Sequence, residues 1–231
     1  MTKVHPKFSN TYEESLSDSK AAAVLTVWKK SLLFNCDGFT VYNSNGNLVF
    51  RVDNYMNSPR DNIVLMDACG LPLLSIRRKV ICLSIYLFFS IYIYLSLYLM
   101  KLILNLPFLD LFDQKLSLGD CWAVYDGETQ RDPIFTAKKN VSILTNKRSL
   151  AWVSAKKTVL YEVEGSYGQK SCKIVDVRRN NKKTAEIKKK DAMVGGGSFG
   201  KDVFKLIVES DMEPRVGMAL TIILDQMFRS Y

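Results

Sequence analysis

The amino-acid sequence predicts a mainly β protein: an antiparallel sheet, closed or nearly closed, with an apolar C-terminal helix threaded through it. Short runs rich in β-branched and aromatic residues recur along the chain, separated by turn residues. That pattern suits pleated, half-buried strands better than alternating β–α–β units. One terminal segment is apolar around nearly its whole circumference. At 231 residues the chain is long enough to bury one substantial core, so a single domain is expected.

The strands follow in order. Ala23 to Lys30 (AVLTVWKK) and Gly38 to Val52 (GFTVYNSNGNLVFRV) open the pattern, and the Asn45-Gly46 pair supplies the positive φ angles a tight hairpin needs. Further runs cover Ile63 to Asp67, Leu73 to Arg78, Cys121 to Tyr125, Ile134 to Lys138 and Val141 to Leu144. Val159 to Glu164, Cys172 to Val177, Thr184 to Lys188 and Val203 to Glu209 complete the set. Glu213-Pro214 then places an acid and a proline at the first turn of a helix, RVGMALTIILDQMF. A helix apolar all round must be enclosed by protein or lipid, and roughly fifteen residues is short of the twenty or so a bilayer requires. A β-barrel around it is the economical solution.

Several segments in fixed order also carry a family resemblance: LTVWKKSLLF, FTVYNSNGNLVFRVDNY, IVLMDACGLPLLSIRRK, CWAVYDGE and the terminal ALTIILDQM. Together they resemble the plant LURP-one-related family over most of residues 20–228. The resemblance implies a fold similar to the tubby C-terminal domain and to phospholipid scramblases, a barrel of roughly twelve strands around a central C-terminal helix, although fold does not fix function. It also implies kinship with proteins described as membrane-tethered transcription factors.

One segment does not fit. Val80 to Met100 is an uncharged run, VICLSIYLFFSIYIYLSLYLM, between Arg77-Arg78-Lys79 and Lys101, and taken alone it has the length and flanks of a membrane span. A span there would split one sheet across a bilayer about 30 Å thick. Joining Lys79 to Lys115 restores an uninterrupted family-like reading, LLSIRRKKLSLGDCWAVYDGE. Every valine codon begins GT and Gln114 can be encoded CAG, so residues 80–114 read as a retained intron. A genuine membrane anchor and a tolerated loop stay open as alternatives. The domain organisation is therefore a flexible tail at 1–20, one barrel formed by 21–79 and 115–231, and an apolar insertion at 80–114.

Candidate chemistry is sparse. His5 is the sole histidine and lies in the polar tail, which leaves serine or cysteine nucleophiles without an imidazole base. The five cysteines, Cys36, Cys69, Cys82, Cys121 and Cys172, are odd in number and contain no CxxC pair, so neither a disulfide framework nor a zinc site is expected. Gly195 to Lys201 nearly spells a phosphate-binding loop, but Asp202 stands where the magnesium-binding Ser or Thr belongs, and VFKLIVES after it reads as strand. Asp120, Asp126 and Glu128 fall in turns, where solvation accounts for them. Asp225, among apolar neighbours in the terminal helix, is expected near the barrel mouth, hydrated or paired with Arg229. Asn140-Val141-Ser142 matches a glycosylation acceptor by chance, because Met1 to Lys20 lacks the apolar core of a secretory signal.

Charge is the informative feature. The chain carries +9 at pH 7, and from Lys138 to Lys190 bases far outnumber acids. Lys170, Lys173, Arg178, Arg179, Lys182, Lys183, Lys188, Lys189 and Lys190 fall on two expected strands and the turn joining them, a candidate cationic hairpin for phosphates. The expected function is thus a non-enzymatic, monomeric binding module for anionic membrane lipids, including phosphoinositide-type headgroups, with no cofactor and no metal. Nucleic acid is the alternative partner, as for a DNA-associated regulator, although no stacking motif or recognition helix accompanies the charge. Scramblase-like activity is a second alternative. A cytoplasmic location is expected, peripheral to membranes or nuclear, and integral only if residues 80–100 span.

Overall fold

The computed structural model describes residues 22–33, 36–55, 62–79, 92, 121–129, 131–140, 149–190, 200 and 202–228. Among them, side chains alternate inward and outward with period two along twelve strands. These are β1 (Ala23–Trp28), β2 (Cys36–Tyr42), β3 (Leu48–Tyr55), β4 (Asn62–Asp67), β5 (Pro72–Lys79) and β6 (Cys121–Asp126). The second half comprises β7 (Phe135–Lys139), β8 (Ser149–Ala155), β9 (Thr158–Ser166), β10 (Ser171–Asp176), β11 (Lys182–Lys189) and β12 (Val203–Val208). Each strand pairs antiparallel with its neighbour in sequence, and β1 closes on β12 with Ala23 opposite Val208 and Trp28 opposite Val203. The result is a closed barrel. Its inward side chains, such as Leu25 and Val27, Phe50 and Val52, Leu74 and Ile76, and Phe204 and Leu206, form one buried apolar cluster.

The β2–β3 hairpin turns as its sequence requires. Gly46 takes φ 81°, and the Asn43 side chain accepts the amides of Asn45 at 3.0 Å and Asn47 at 2.9 Å. Strand ends differ from the sequence reading by a residue or two, as where β1 stops at Trp28, β12 stops at Val208 and Asp126 closes β6. Val177 belongs to a short 3-10 turn, Val177–Arg179, and not to the strand before it. Strand β8, SLAWVSA, carries no strand signal of its own because its serines and alanines dilute the β-branched pattern, although Ala151 and Val153 face inward as a strand demands. The run Val141 to Leu144, the tail 1–20 and residues 191–199 lie outside the described residues.

Helix α1 (Pro214–Phe228) occupies the barrel, with every residue from Gly217 to Asp225 buried. Its 15 residues rise about 22 Å, comparable to strands of six to eight residues at about 3.3 Å each. The one polar side chain in its middle, Thr221, satisfies its hydroxyl on the Gly217 carbonyl at 2.9 Å. The helix runs from a lower end of the barrel, where β12 delivers it, to an upper end, where β1, β3, β5, β7, β9 and β11 finish.

Strands β5 and β6 are direct neighbours, with Lys79 opposite Cys121. The connection between them therefore leaves and re-enters at the upper end. The insertion at 80–114, including the span expected at 80–100, lies outside the described residues apart from Tyr92, which is exposed. Among the described residues no helix is long and apolar enough to cross a membrane.

Enclosure of α1 sets an expectation for its core side chains. Leu220→Ala should lower unfolding free energy by about 2–5 kcal/mol, measured by urea denaturation, whereas a surface leucine would cost far less. Ile223→Asp should be worse, because it strands an unpaired carboxylate in the barrel interior.

Candidate functional site

The β10–β11 hairpin holds the basic residues singled out by sequence, but not as one tip. Arg178, Arg179, Lys182 and Lys183 cluster where β10 passes into β11 at the lower end, while Lys170, Lys188, Lys189 and Lys190 stand at the upper end. Lys173 projects from the wall between them, opposite Glu186. A strand's length thus separates two groups that the sequence presents as one run.

The lower group is also largely neutralised. Asp176 accepts the Arg178 amide at 2.9 Å and its guanidinium at 3.2 and 3.1 Å, and Arg179 lies 3.9 Å away. Asp211 pairs with Arg179 at 3.2 Å and with Lys182. Lys183 reaches Glu186 at 3.1 Å and Glu209 at 3.8 Å, and Lys188 reaches Glu186 at 3.1 Å. Burial works against the Glu186 carboxylate, yet the hydrogen bonds and charges of Lys183 and Lys188 hold its pKa below the usual range. Hydrogen bonding from Lys182 likewise depresses Asp211. Glu209 and Asp211 follow β12, so they balance the hairpin from outside the stretch that looked so basic. Such exposed pairs contribute little stability, but they cancel field.

Lys170 has a structural setting of its own. It sits in the β9–β10 turn at φ 49°, only 7 % exposed, with its ammonium 3.5 Å from the Tyr167 ring centroid and 4.4 Å from that of Phe204. Burial lowers its pKa to about 8, against the pull of Asp225. Asp225 is itself buried on α1, accepting the Tyr167 hydroxyl at 3.2 Å and the Lys29 ammonium at 2.9 Å. Lys29 is thus one charged partner of Asp225, while Arg229 lies outside the described residues. Nearby, Lys139 donates to the Met227 carbonyl at 2.9 Å and covers the Phe228 ring. Lysines thus converge on the helix C-terminus, where the macrodipole is negative.

The two barrel ends consequently differ. At the lower end, acids such as Asp126, Asp176, Asp211 and Glu213 interleave with arginines, and Arg215 lies 3.6 Å from Asp126 and 2.5 Å from Glu213. At the upper end, among the described residues, Lys30, Lys79, Lys138 and Lys189 accompany the helix-capping lysines and outnumber the acids there, which include Asp37, Asp53, Glu164 and Asp202. Lys173 and Lys189 make no ion pair among the described residues. Nothing among those residues forms a cluster of three metal-ligating side chains. The stretch after the glycine-rich segment is strand β12, not a phosphate-cradling helix. Burial raises the thiol of Cys172 to about 11 and that of Cys121 above its ordinary value, which leaves both poor nucleophiles.

Comparison with known proteins gives a consistent picture. The LURP-one-related family profile matches residues 23–101 and 96–225. The Arabidopsis thaliana protein LURP-one-related 8 is 71% identical over 230 residues, covering 100% of both chains. LURP-one-related 17 of the same plant is 37% identical over 221 residues, covering 90% of this chain and 84% of its own. An X-ray structure of an Arabidopsis thaliana protein superposes with a TM-score of 0.55 at 17% identity, covering 90% of this chain and 92% of the other, a likeness of fold. None of these names states a catalytic activity.

The Lys170 environment makes stability depend on pH in a definite direction. Its folded pKa, about 8, lies below its ordinary value of 10.5, so the unfolded chain binds the extra proton between those values and stability rises with pH across that window. The stability that Lys170→Met adds relative to wild type should therefore be larger at pH 7.5 than at pH 10, by on the order of 1–3 kcal/mol. Urea titrations at the two pH values measure this, and a pH-independent difference would contradict a buried ammonium.

Proposed function

This chain belongs to the LURP-one-related family, and from that premise we propose that it is a non-catalytic binding protein that docks on anionic membrane surfaces. The observation that carries this reading is the unequal charge of the barrel ends. Among the described residues, lysines at the upper end outnumber the acids beside them, whereas the lower end is laced with ion pairs between balanced charges. An anionic leaflet attracts such a face by about 1 kcal/mol for each basic residue near it. Phosphoinositide headgroups, with several phosphates each, are the strongest candidates in that class. Duplex DNA offers the same phosphate charge, but α1 is enclosed and unavailable to a groove, so a DNA-associated role ranks second. Enclosure of α1 equally removes it from lipid, which places scramblase-like activity third.

The same reading treats residues 80–114 as dispensable to the fold, as a retained intron would be. Support comes from the register: Lys79 and Cys121 already face each other, so the sheet is continuous across the gap that the insertion fills. Joining Lys79 to Lys115 should yield a chain with the same β-rich circular dichroism and a cooperative melt. Loss of folding in the joined chain would make the insertion part of the barrel's structure.

Binding is tested by sedimentation with phosphatidylcholine vesicles, with and without phosphoinositide, and by titration with duplex DNA. Phosphoinositide-dependent sedimentation is expected, weakening as salt shortens the Debye length from about 10 Å at 0.1 M to about 3 Å at 1 M. Combined Lys30→Glu and Lys189→Glu should weaken it by about tenfold or more, while Arg178→Glu with Arg179→Glu should have a smaller effect. Preference for DNA over vesicles would promote the regulator reading, and binding to neither would overturn both.

A further inference from the structure

Between β1 and β2, at the upper end, the chain makes a turn whose burial order is inverted. Ser31 is 5 % exposed, whereas Leu32 and Leu33, which follow it, are 50 % and 38 % exposed, and Trp28 at the end of β1 is 40 % exposed. Scattered surface leucines are ordinary, but a buried serine beside two exposed leucines reverses what the hydrophobic effect favours.

Polar bonds on the inner side of the turn enforce that reversal. The Ser31 hydroxyl donates to the Asp53 carboxylate and accepts the Leu33 amide at 3.0 Å. The Thr40 hydroxyl donates to the Lys30 carbonyl at 3.0 Å, and the Lys29 amide to the Asp202 carbonyl at 2.7 Å. Gly38 permits the close packing, because a Cβ there would stand 1.8 Å from the Val52 carbonyl oxygen and 3.3 Å from Ser31 Cβ. The leucines are thus held outward by a braced turn, and their burial is left for something outside the barrel.

Charge selects the occupant. Lys29 and Lys30 belong to the turn itself, with the Lys30 ammonium 5.3 Å from the Trp28 ring centroid. Lys189 stands two strands away, about 10 Å at the spacing of β-strands. Among the described strands and turns, the exposed Val24, Leu71, Ile134 and Val159 lie toward the lower end, where Asp67 and Asp132 accompany Leu71 and Ile134.

We propose that the Trp28–Leu33 turn is a membrane-inserting element, with Leu32 and Leu33 entering the acyl boundary of an anionic bilayer. Trp28 then lies at headgroup level, where amphipathic rings concentrate, and Lys30 and Lys189 meet the phosphates. The proposal rests on the membrane-docking reading and adds two things to it: the upper end faces the bilayer, and part of the attraction is apolar and therefore insensitive to salt.

The full chain is tested by sedimentation with phosphatidylcholine vesicles, with and without phosphatidylserine, at low and high salt. Leu32→Ser with Leu33→Ser, and separately Leu32→Glu with Leu33→Glu, should weaken binding to the phosphatidylserine vesicles at least about tenfold and abolish the residue that survives high salt. Leu71→Glu should leave binding unchanged, and thermal melts should match wild type for all three. If wild type binds and both leucine variants bind equally well, the inserting turn is overturned while membrane docking stands. If Leu71→Glu is equally damaging, the orientation is wrong. If wild type ignores the phosphatidylserine vesicles at both salt concentrations, this proposal falls together with the reading beneath it.

Discussion

A helix with no polar face has to be surrounded, and the architecture of this chain follows from that constraint. From Gly217 to Leu224 every side chain of α1 is buried against inward residues of the strands, among them Leu25, Leu74, Ile174 and Leu206. The dependence is mutual. A barrel of about eight strands is just wide enough for its own side chains to fill, so twelve enclose a lumen that needs another occupant. A helix about 10 Å across supplies it. Neither the wall nor the helix has a stable form alone, because each would expose the apolar surface that the other covers.

Filling the barrel with a helix also gives it polarity. The N-terminal end of α1 enters beside Arg215 and its carboxylate partners, and the C-terminal end finishes under Lys29, Lys139 and the buried Lys170. Favourable interaction of lysines with unpaired helix carbonyls explains why cations gather there. The same end presents the braced Trp28–Leu33 turn, so the charge at the helix terminus and the surface proposed to meet an anionic bilayer coincide. The functional reading is thereby tied to the core: the end of the molecule is set by which way the helix runs.

Most of the fold was legible because the two periodicities are clean. Alternation in AVLTVW or VFKLIV and the all-round apolar ALTIILDQM leave few other ways to satisfy burial. Strand β8 was hidden, since Ser149, Ala151, Ser154 and Ala155 have small side chains whose strand preference comes from their neighbours. The candidate site was less legible. Its basic residues were visible, but Glu209 and Asp211, which neutralise several of them, lie beyond the next strand and meet them only through the sheet. Lys170 reads in the sequence as one more surface base of the cationic hairpin, yet its φ angle and the rings of Tyr167 and Phe204 draw it inside. The inverted turn carries no periodic signal at all. Whether Ser31 or Leu32 faces inward depends on Asp53, which the sequence places twenty-two residues away.

Native-state hydrogen exchange resolved by residue addresses the mutual dependence of helix and wall most directly. The amides of Leu220 to Leu224 are expected to exchange only through the opening that also exposes Ile174 and Leu206, with one shared free energy equal to that of global unfolding. Helix amides that exchange orders of magnitude faster than those strand amides would mean that the barrel persists without its occupant, and would contradict the account.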